Sequence, residues 1–323
     1  MGKKGYIVVS LDFELLWGVH DHETKESFTK QIDGARAVIP QLLELFNEYG
    51  IHATWGIVGM LMASNREELL ECQPTELPTY SDPRLSSYNH ITEVGENEQE
   101  DRFHYASSLV SLIATYNNQE IGSHTFSHFC CKADGQTVAQ FSADLDCAQS
   151  MMEKKTGQKA RSLIFPRNEF TEEYATAASK KGFQCVRGNP KSYAYNNGKK
   201  KLARVIRFLD TYINVCGMKC SSLEDCKRDC HVIIPASRFF RKFDTRFSFL
   251  EKAKVACIKR QMSYAARKGK IFHLWWHPHN VSINSDKSLE QLRDLFEYYR
   301  ELNRQYGFES RTMQEMADAI CLY

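Results

Sequence analysis

The chain has little net charge, no long hydrophobic run, no internal repeat and no low-complexity tract. Its 42 Lys and Arg against 40 Asp and Glu leave a formal charge of +2, which gives no electrostatic case for nucleic acid as a partner. No stretch approaches the roughly 18 apolar residues of a membrane span, and no helix reads as a basic membrane-surface element. The start Met1-Gly2-Lys3-Lys4-Gly5 runs straight into Tyr6-Ile7-Val8-Val9-Ser10-Leu11, too short for a secretory core and with no small-residue cleavage site after it. A cytoplasmic location is therefore expected. With no linker, residues 1–323 read as a single domain.

Cysteine, by contrast, is plentiful. The eleven residues are an odd number, which with the missing export signal favours free thiols over a disulfide framework. Cys216, Cys220, Cys226 and Cys230 follow C-x3-C-x5-C-x3-C. That pattern admits a structural zinc site, but the spacing within each pair is looser than in most zinc modules, and reduced thiols near a surface segment are the expectation.

Short apolar runs alternate with amphipathic stretches, which argues for parallel strands with helices outside them. Strands are expected at 6–12, 51–58, 120–123, 161–166, 183–187, 231–234 and 270–276. Helices are expected at 33–49, 106–117, 137–155, 171–181, 247–268, 288–305 and 312–321. In the first helix Ala37, Val38, Leu42, Leu45 and Phe46 share one face, and Gly50 ends it. Residues 64–105 are polar and turn-rich, with Pro74, Pro78 and Pro83, and read as an inserted loop or lid. The Asn-, Lys- and Gly-rich stretch 189–200 is expected to be exposed.

The run Glu120-Ile121-Gly122-Ser123-His124-Thr125-Phe126-Ser127-His128 holds two imidazoles four residues apart, which a helical turn would deliver to one side, where they can grip one metal ion. Asp12 and Glu14 lie at the end of the first strand; at i and i+2 they point to one face. His277 follows the apolar run Ile271-Phe272-His273-Leu274-Trp275-Trp276. His279 is its rival on the same face, and His273 reads equally as a core histidine. Together these groups are the kit of a metal-dependent hydrolase. Trp17, Trp275 and Trp276 are most simply packing residues. His20, Asp21 and His22 are substrate-side candidates, and Ser237-Arg238 reads either as facing a substrate or as a surface ion pair.

Ser10-Leu11-Asp12-Phe13-Glu14, Ser123-His124-Thr125-Phe126-Ser127-His128, Phe165-Pro166-Arg167-Asn168 and Leu274-Trp275-Trp276-His277-Pro278 come in the order found in the polysaccharide deacetylases. The chain resembles this family, carbohydrate esterase family 4 with the NodB-homology fold, from about residue 6 to about residue 280. The resemblance implies a distorted (β/α)7 barrel that holds a divalent metal ion, with zinc the first expectation, and removes an acetyl group from a sugar. It implies Glu14, His124 and His128 as metal ligands, Asp12 as general base, His277 as the acid that protonates the leaving amine, and Arg167 as the group that keeps Asp12 ionised. Asp210 would orient His277. The sequence departs from the family pattern in two places: the usual adjacent aspartates are here split by Phe13, so the roles of Asp12 and Glu14 could be exchanged, and Pro166-Arg167 replaces the usual Arg-x-Pro.

Without an export signal, the expected substrate is an N-acetylated sugar on a precursor of a bacterial surface polysaccharide, nucleotide-linked, lipid-linked or an oligosaccharide. Two other readings stand beside it: a hydrolase of a non-sugar C–N bond such as a ureide or formamide, and a catalytically silent sugar-binding barrel.

Overall fold

Parallel pairing organises the chain from its first strand. The computed structural model describes residues 4–190, 192, 194 and 201–322. Its strands are β1 (Tyr6–Phe13), β2 (Ala53–Ile57), β3 (Gln119–Ser123), β4 (Ser162–Leu163), β5 (Cys185–Gly188), β6 (Val232–Pro235), β7 (Arg238–Phe239), β8 (Ile271–Trp276) and β9 (Glu309–Arg311). They form one sheet in the order β6-β5-β4-β3-β2-β1-β8-β7, with β9 also on β1. Every strand pairing is parallel.

The two ends of that order are halves of one extended segment. β6 pairs with β5, and β7, two residues further on, pairs with β8. Between them Ala236 N–H donates to Gly188 C=O and Ser237 N–H to His273 C=O. The segment therefore closes the sheet into a barrel of the expected (β/α)7 kind. A parallel sheet covered on both faces needs apolar residues on both sides of each strand, and β1 is buried along Ile7 to Phe13.

The helices are α1 (Lys25–Tyr49), α2 (Arg66–Glu71), α3 (Ser107–Thr115), α4 (Val138–Thr156), α5 (Glu172–Lys180), α6 (Lys201–Ile213), α7 (Leu223–Cys226), α8 (Ser248–Lys268), α9 (Pro278–Val281), α10 (Ser285–Tyr306) and α11 (Met313–Cys321). Among the described residues none is long and apolar enough to cross a membrane. α1 starts eight residues before the expected position, because Thr24 and Ser27 form a reciprocal capping box. It ends at Gly50 in the left-handed conformation (φ 64°), as expected. Ala37 is exposed; the buried face is carried instead by Ile32, Ala35, Val38, Ile39, Leu42, Leu43, Leu45, Phe46 and Tyr49. α6, β7 and β9 were not expected, and the expected strand 161–166 shrinks to two residues. Most of the stretch 189–200 lies outside the described residues.

Segment 64–105 carries α2 and helical turns at Pro83–Leu85 and Ser87–Glu93. The buried carboxylate of Asp101 organises one end of it, accepting from the backbone N–H of Gly95 and Phe103, from Lys25 Nζ and from His104 Nδ1. At the other end the segment is tied to the chain near His128: Ser87 Oγ donates to Ser127 C=O and Tyr80 Oη accepts from Cys130 N–H.

Phe46 sits where α1, the barrel and α10 meet, with ring centroids 6.1 Å from both Trp55 and Trp276 and 5.8 Å from Phe296. Phe46→Ala is expected to destabilise the fold by roughly 3–5 kcal/mol, read from the shift of the urea unfolding midpoint.

Candidate metal centre

In parallel barrels chemistry gathers where the strands end, because the following loops are free to vary there. Asp12 is near the end of β1 and Glu14 just past it; His124 follows β3, Asn168 lies in the turn after β4, Arg187 is near the end of β5 and His277 follows β8. Sequence positions 265 residues apart, from 12 to 277, thus meet at one mouth.

Glu14, His124 and His128 are the one group of three or more metal-type side chains that gathers among the described residues; their ligand atoms lie within 4.8 Å of one another and all three residues are buried. Glu14 Oε2 is 3.2 Å from His124 Nε2 and 3.3 Å from His128 Nε2. His124 Nδ1 is 2.8 Å from Ile164 C=O, which can only accept, so that nitrogen carries the hydrogen. In the neutral ring Nε2 then presents a lone pair, as second-shell partners of metal-binding histidines commonly arrange. Burial keeps the His128 ring below the usual histidine range, only partly offset by Glu14. The His124 lone pair, the His128 Nε2 and a carboxylate oxygen gathered at these distances fit a divalent cation, and two imidazoles with a carboxylate suit zinc among others.

A loop, rather than the expected helical turn, brings the two imidazoles together, with ring centroids 5.2 Å apart. Thr125 (φ 63°) and His128 (φ 58°) both adopt the left-handed conformation. For non-glycine residues this costs about 1–3 kcal/mol each, and persists only where surroundings over-determine it. They do so here. Asp144 of α4 accepts from the backbone N–H of Phe126 and Ser127 and from Ser127 Oγ; Thr125 Oγ1 accepts from Phe129 N–H; and Gly59 and Met60 donate to Thr125 C=O and Phe126 C=O. Burial pushes the Asp144 carboxyl up to about 6, against the pull of these donors.

Asp12 is held by Arg187, not by Arg167. Arg187 is fully buried and grips both carboxylate oxygens, at 2.5 and 2.6 Å. Its other donors reach Ser10 Oγ and Asn168 Oδ1, and its guanidinium carbon lies 4.2 Å from the Trp275 ring centroid. Burial raises the Asp12 carboxyl, but Arg187 and then His277 outweigh it and hold the group below the usual carboxylate range. Arg167 (φ 58°) reaches outward to Asp21 at 2.8 Å. Its guanidinium is exposed and paired with Asp21, so it does not reach Asp12 as the motif order implied.

His277 Nε2 lies 3.6 Å from Asp12 Oδ2 and 3.5 Å from Glu14 Oε1, and its Nδ1 donates to Asn280 Oδ1 at 2.9 Å. Asn280 therefore takes the orienting place expected of Asp210, whose carboxylate is engaged by Lys219 and Cys216 N–H. His279 packs edge-on against Phe28, and His273 is a buried core residue bonded to Ser10 Oγ. Ser237 and Arg238 are buried; Arg238 bonds Asp210 C=O and Asn214 and lies 3.8 Å from the Asp210 carboxylate, so its ion pair is buried and not at the surface. The cysteines at 216, 220, 226 and 230 are free thiols.

Gly18 shows how closely Glu14 is fitted. A Cβ placed there would lie 2.1 Å from the Glu14 carboxyl carbon. Arg187 and Gly18 escaped sequence reading. The only signal was a charged residue inside a strand, Cys185-Val186-Arg187-Gly188, with its sheet covered on both faces.

Residues 32–186 match the sequence pattern of the family described as polysaccharide deacetylase. The stretch includes the histidine pair and stops short of Arg187, while Asp12, Glu14 and His277 lie outside it. Among curated proteins none matches this sequence. Among solved structures, a protein of Mycobacterium smegmatis described as a candidate polysaccharide deacetylase shares 14% identity, with a TM-score of 0.63 over 100% of this chain and 92% of that one. A protein of Pseudomonas aeruginosa PAO1 with the same kind of description shares 12% identity, with a TM-score of 0.54 over 97% and 89%. The full chain has their fold.

Two outcomes follow from the geometry. Arg187→Ala strands a buried carboxylate and is expected to cost roughly 3–5 kcal/mol in urea unfolding at neutral pH. Because the Asp12 carboxyl is depressed in the folded state, this loss shrinks as pH falls through its folded value. Gly18→Ala would press a Cβ against the Cγ, carboxyl carbon and Oε1 of buried Glu14; it should displace that side chain, lower the unfolding midpoint and weaken divalent-metal affinity by about 10–100-fold, read by titration calorimetry.

Proposed function

We propose that this chain, which carries the polysaccharide deacetylase sequence pattern over residues 32–186 and that fold throughout, is a metal-dependent deacetylase hydrolysing an N-acetyl group of a sugar. The observation that carries the reading is the buried Glu14–His124–His128 group, set beside a second carboxylate and an imidazole that it does not absorb. Glu14, His124 and His128 would hold the cation, with zinc the first expectation. When bound, the cation polarises the amide carbonyl and activates water.

The remaining groups have separate tasks. Asp12 is the general base; Arg187 keeps it ionised and fixes its plane, so an oxygen is ready to take a proton from water. His277 has Nδ1 committed to Asn280, which leaves Nε2 to hand a proton to the departing nitrogen. Its side chain is 21% exposed, whereas those of Glu14, His124 and His128 are 6%, 1% and 3% exposed. Substrate entering past His277 reaches the buried group end-on, which suits a single terminal sugar. We take that sugar to be carried on a nucleotide- or lipid-linked precursor of a bacterial surface polysaccharide, processed in the cytoplasm.

Purified chain should hold about one divalent ion and release acetate from an N-acetylamino-sugar donor. Asp12→Asn and His277→Ala should each lower that rate by about 10²–10⁴-fold with metal content retained, while His124→Ala and His128→Ala lose the metal. Unchanged rates in both Asp12→Asn and His277→Ala would sink the assignment of roles; formate or ammonia in place of acetate would move the chain to a different C–N hydrolysis.

A further inference from the structure

We infer that the outward face of α6, together with Phe249, is a docking surface for an anionic lipid bilayer. No helix was expected over 201–213, and its pattern is the reverse of an ordinary surface helix. At about 100° per residue, Leu202, Val205, Leu209 and Ile213 fall within about 80° of arc. That stripe points away from the protein, with each of the four 42–61% exposed. Ala203 and Asp210, about 100–120° round the helix from the middle of the stripe, are buried. Beside it Phe249, at the start of α8, is 76% exposed, and the chain leaving α6 adds exposed Val215 and Met218. Phe208 joins the two elements through Phe247, ring centroids 5.6 Å apart.

The charge around this stripe is of one sign. Lys201 and Arg204 on α6, and Arg241 and Lys242 on the loop between β7 and α8, are exposed and make no ion pair among the described residues. Arg241 lies over the Phe208 ring at 5.7 Å. The carboxylates of these elements are already used: Asp210 is buried against Lys219, Glu251 is buried against Lys254, and Asp244 pairs with Arg246. Exposed apolar side chains bordered by uncompensated cations are what an interfacial helix presents to acyl chains and anionic headgroups.

The same charges argue against a second copy as occupant. In a two-fold dimer the patch faces itself, so Lys201, Arg204, Arg241 and Lys242 would be brought against like charge. Arg241 follows the C-terminal end of β7, the barrel end that carries the metal group, and Phe208 of α6 lies beside it. Docking would bring that end toward the lipid surface, whatever reaction it performs.

The test is co-sedimentation of the full chain with vesicles. It should bind phosphatidylcholine vesicles containing about 30% phosphatidylglycerol at least about tenfold more tightly than pure phosphatidylcholine vesicles. Val205→Asp with Leu209→Asp touches only exposed positions and should keep the thermal midpoint while losing at least about tenfold in vesicle binding. Lys201→Glu with Arg204→Glu should lower binding at low salt and converge with the parent chain at high salt. Equal binding of the parent and the Val205→Asp, Leu209→Asp chain, or no preference for anionic vesicles, overturns the proposal. So does a parent dimer in light scattering that the same double variant dissolves without any vesicle binding, because the stripe is then covered by a second copy. Acetate release is not part of the readout, so failure here leaves the catalytic reading standing, and the converse holds.

Discussion

A guanidinium and a carboxylate buried together are costly to remove from water, and the arrangement survives only if each is saturated. Arg187 and Asp12 meet that condition, and the site is arranged around them. Arg187 spends its donors on both Asp12 oxygens, Ser10 and Asn168, and lays its plane against Trp275. One side chain from β5 therefore fixes β1, the turn after β4 and the end of β8 relative to one another. A lysine could not do this, since it lacks the planar fork and the stacking face. The pair also fixes Asp12 in one orientation.

The histidine loop is built by the opposite means. No guanidinium crosses it; it is a strained backbone, left-handed at Thr125 and His128, pinned by hydrogen bonds to the Asp144 carboxylate and by backbone bonds to Gly59 and Met60. Leu15, Arg167 and Asn168, also left-handed, lie in the neighbouring connections. Five non-glycine residues in this conformation around one mouth are not the product of packing alone, because each would relax if its neighbours allowed it. The loops following β1, β3 and β4 are shaped to aim side chains, and the cores of the strands below supply the stability that this requires.

What could be read in the sequence follows the same division. Asp12, Glu14, His124, His128 and His277 were legible because strand period and short spacings act locally, and strand order then brings them to one end. Arg187 was not, because its partner is 175 positions away and nothing near it in the chain marks the contact. Arg167 occupied the motif position expected of it, but a residue's place in a motif does not fix its partner, and its exposed guanidinium pairs with Asp21. Asp210 failed for a related reason: Lys219, nine residues on, captured it first. Helix α6 was missed because its apolar stripe lies among arginines and lysines and packs nothing, so the usual link between apolar periodicity and burial is broken there.

The split of roles between the two carboxylates can be derived without reference to motif order. Asp12 already has a permanent cation on both oxygens, so a metal ion there would meet Arg187 at short range and be repelled. Glu14 has no such partner. Burial pushes its carboxyl up, and among the neighbouring His277, His124 and His128 rings it is His277 that pulls it down most, to well below the usual range. Of these rings, His124 is committed through Nδ1 to Ile164, so its Nε2 in the neutral state offers Glu14 a lone pair instead of a hydrogen. At 3.2 Å two acceptors face one another in a buried site, an arrangement that favours a positive charge between them. A proton can supply that charge to one ring at a time, whereas a divalent ion supplies it to Glu14, His124 and His128 together. Under the proposed function, a divalent ion would therefore take Glu14, because Arg187 already holds both oxygens of Asp12.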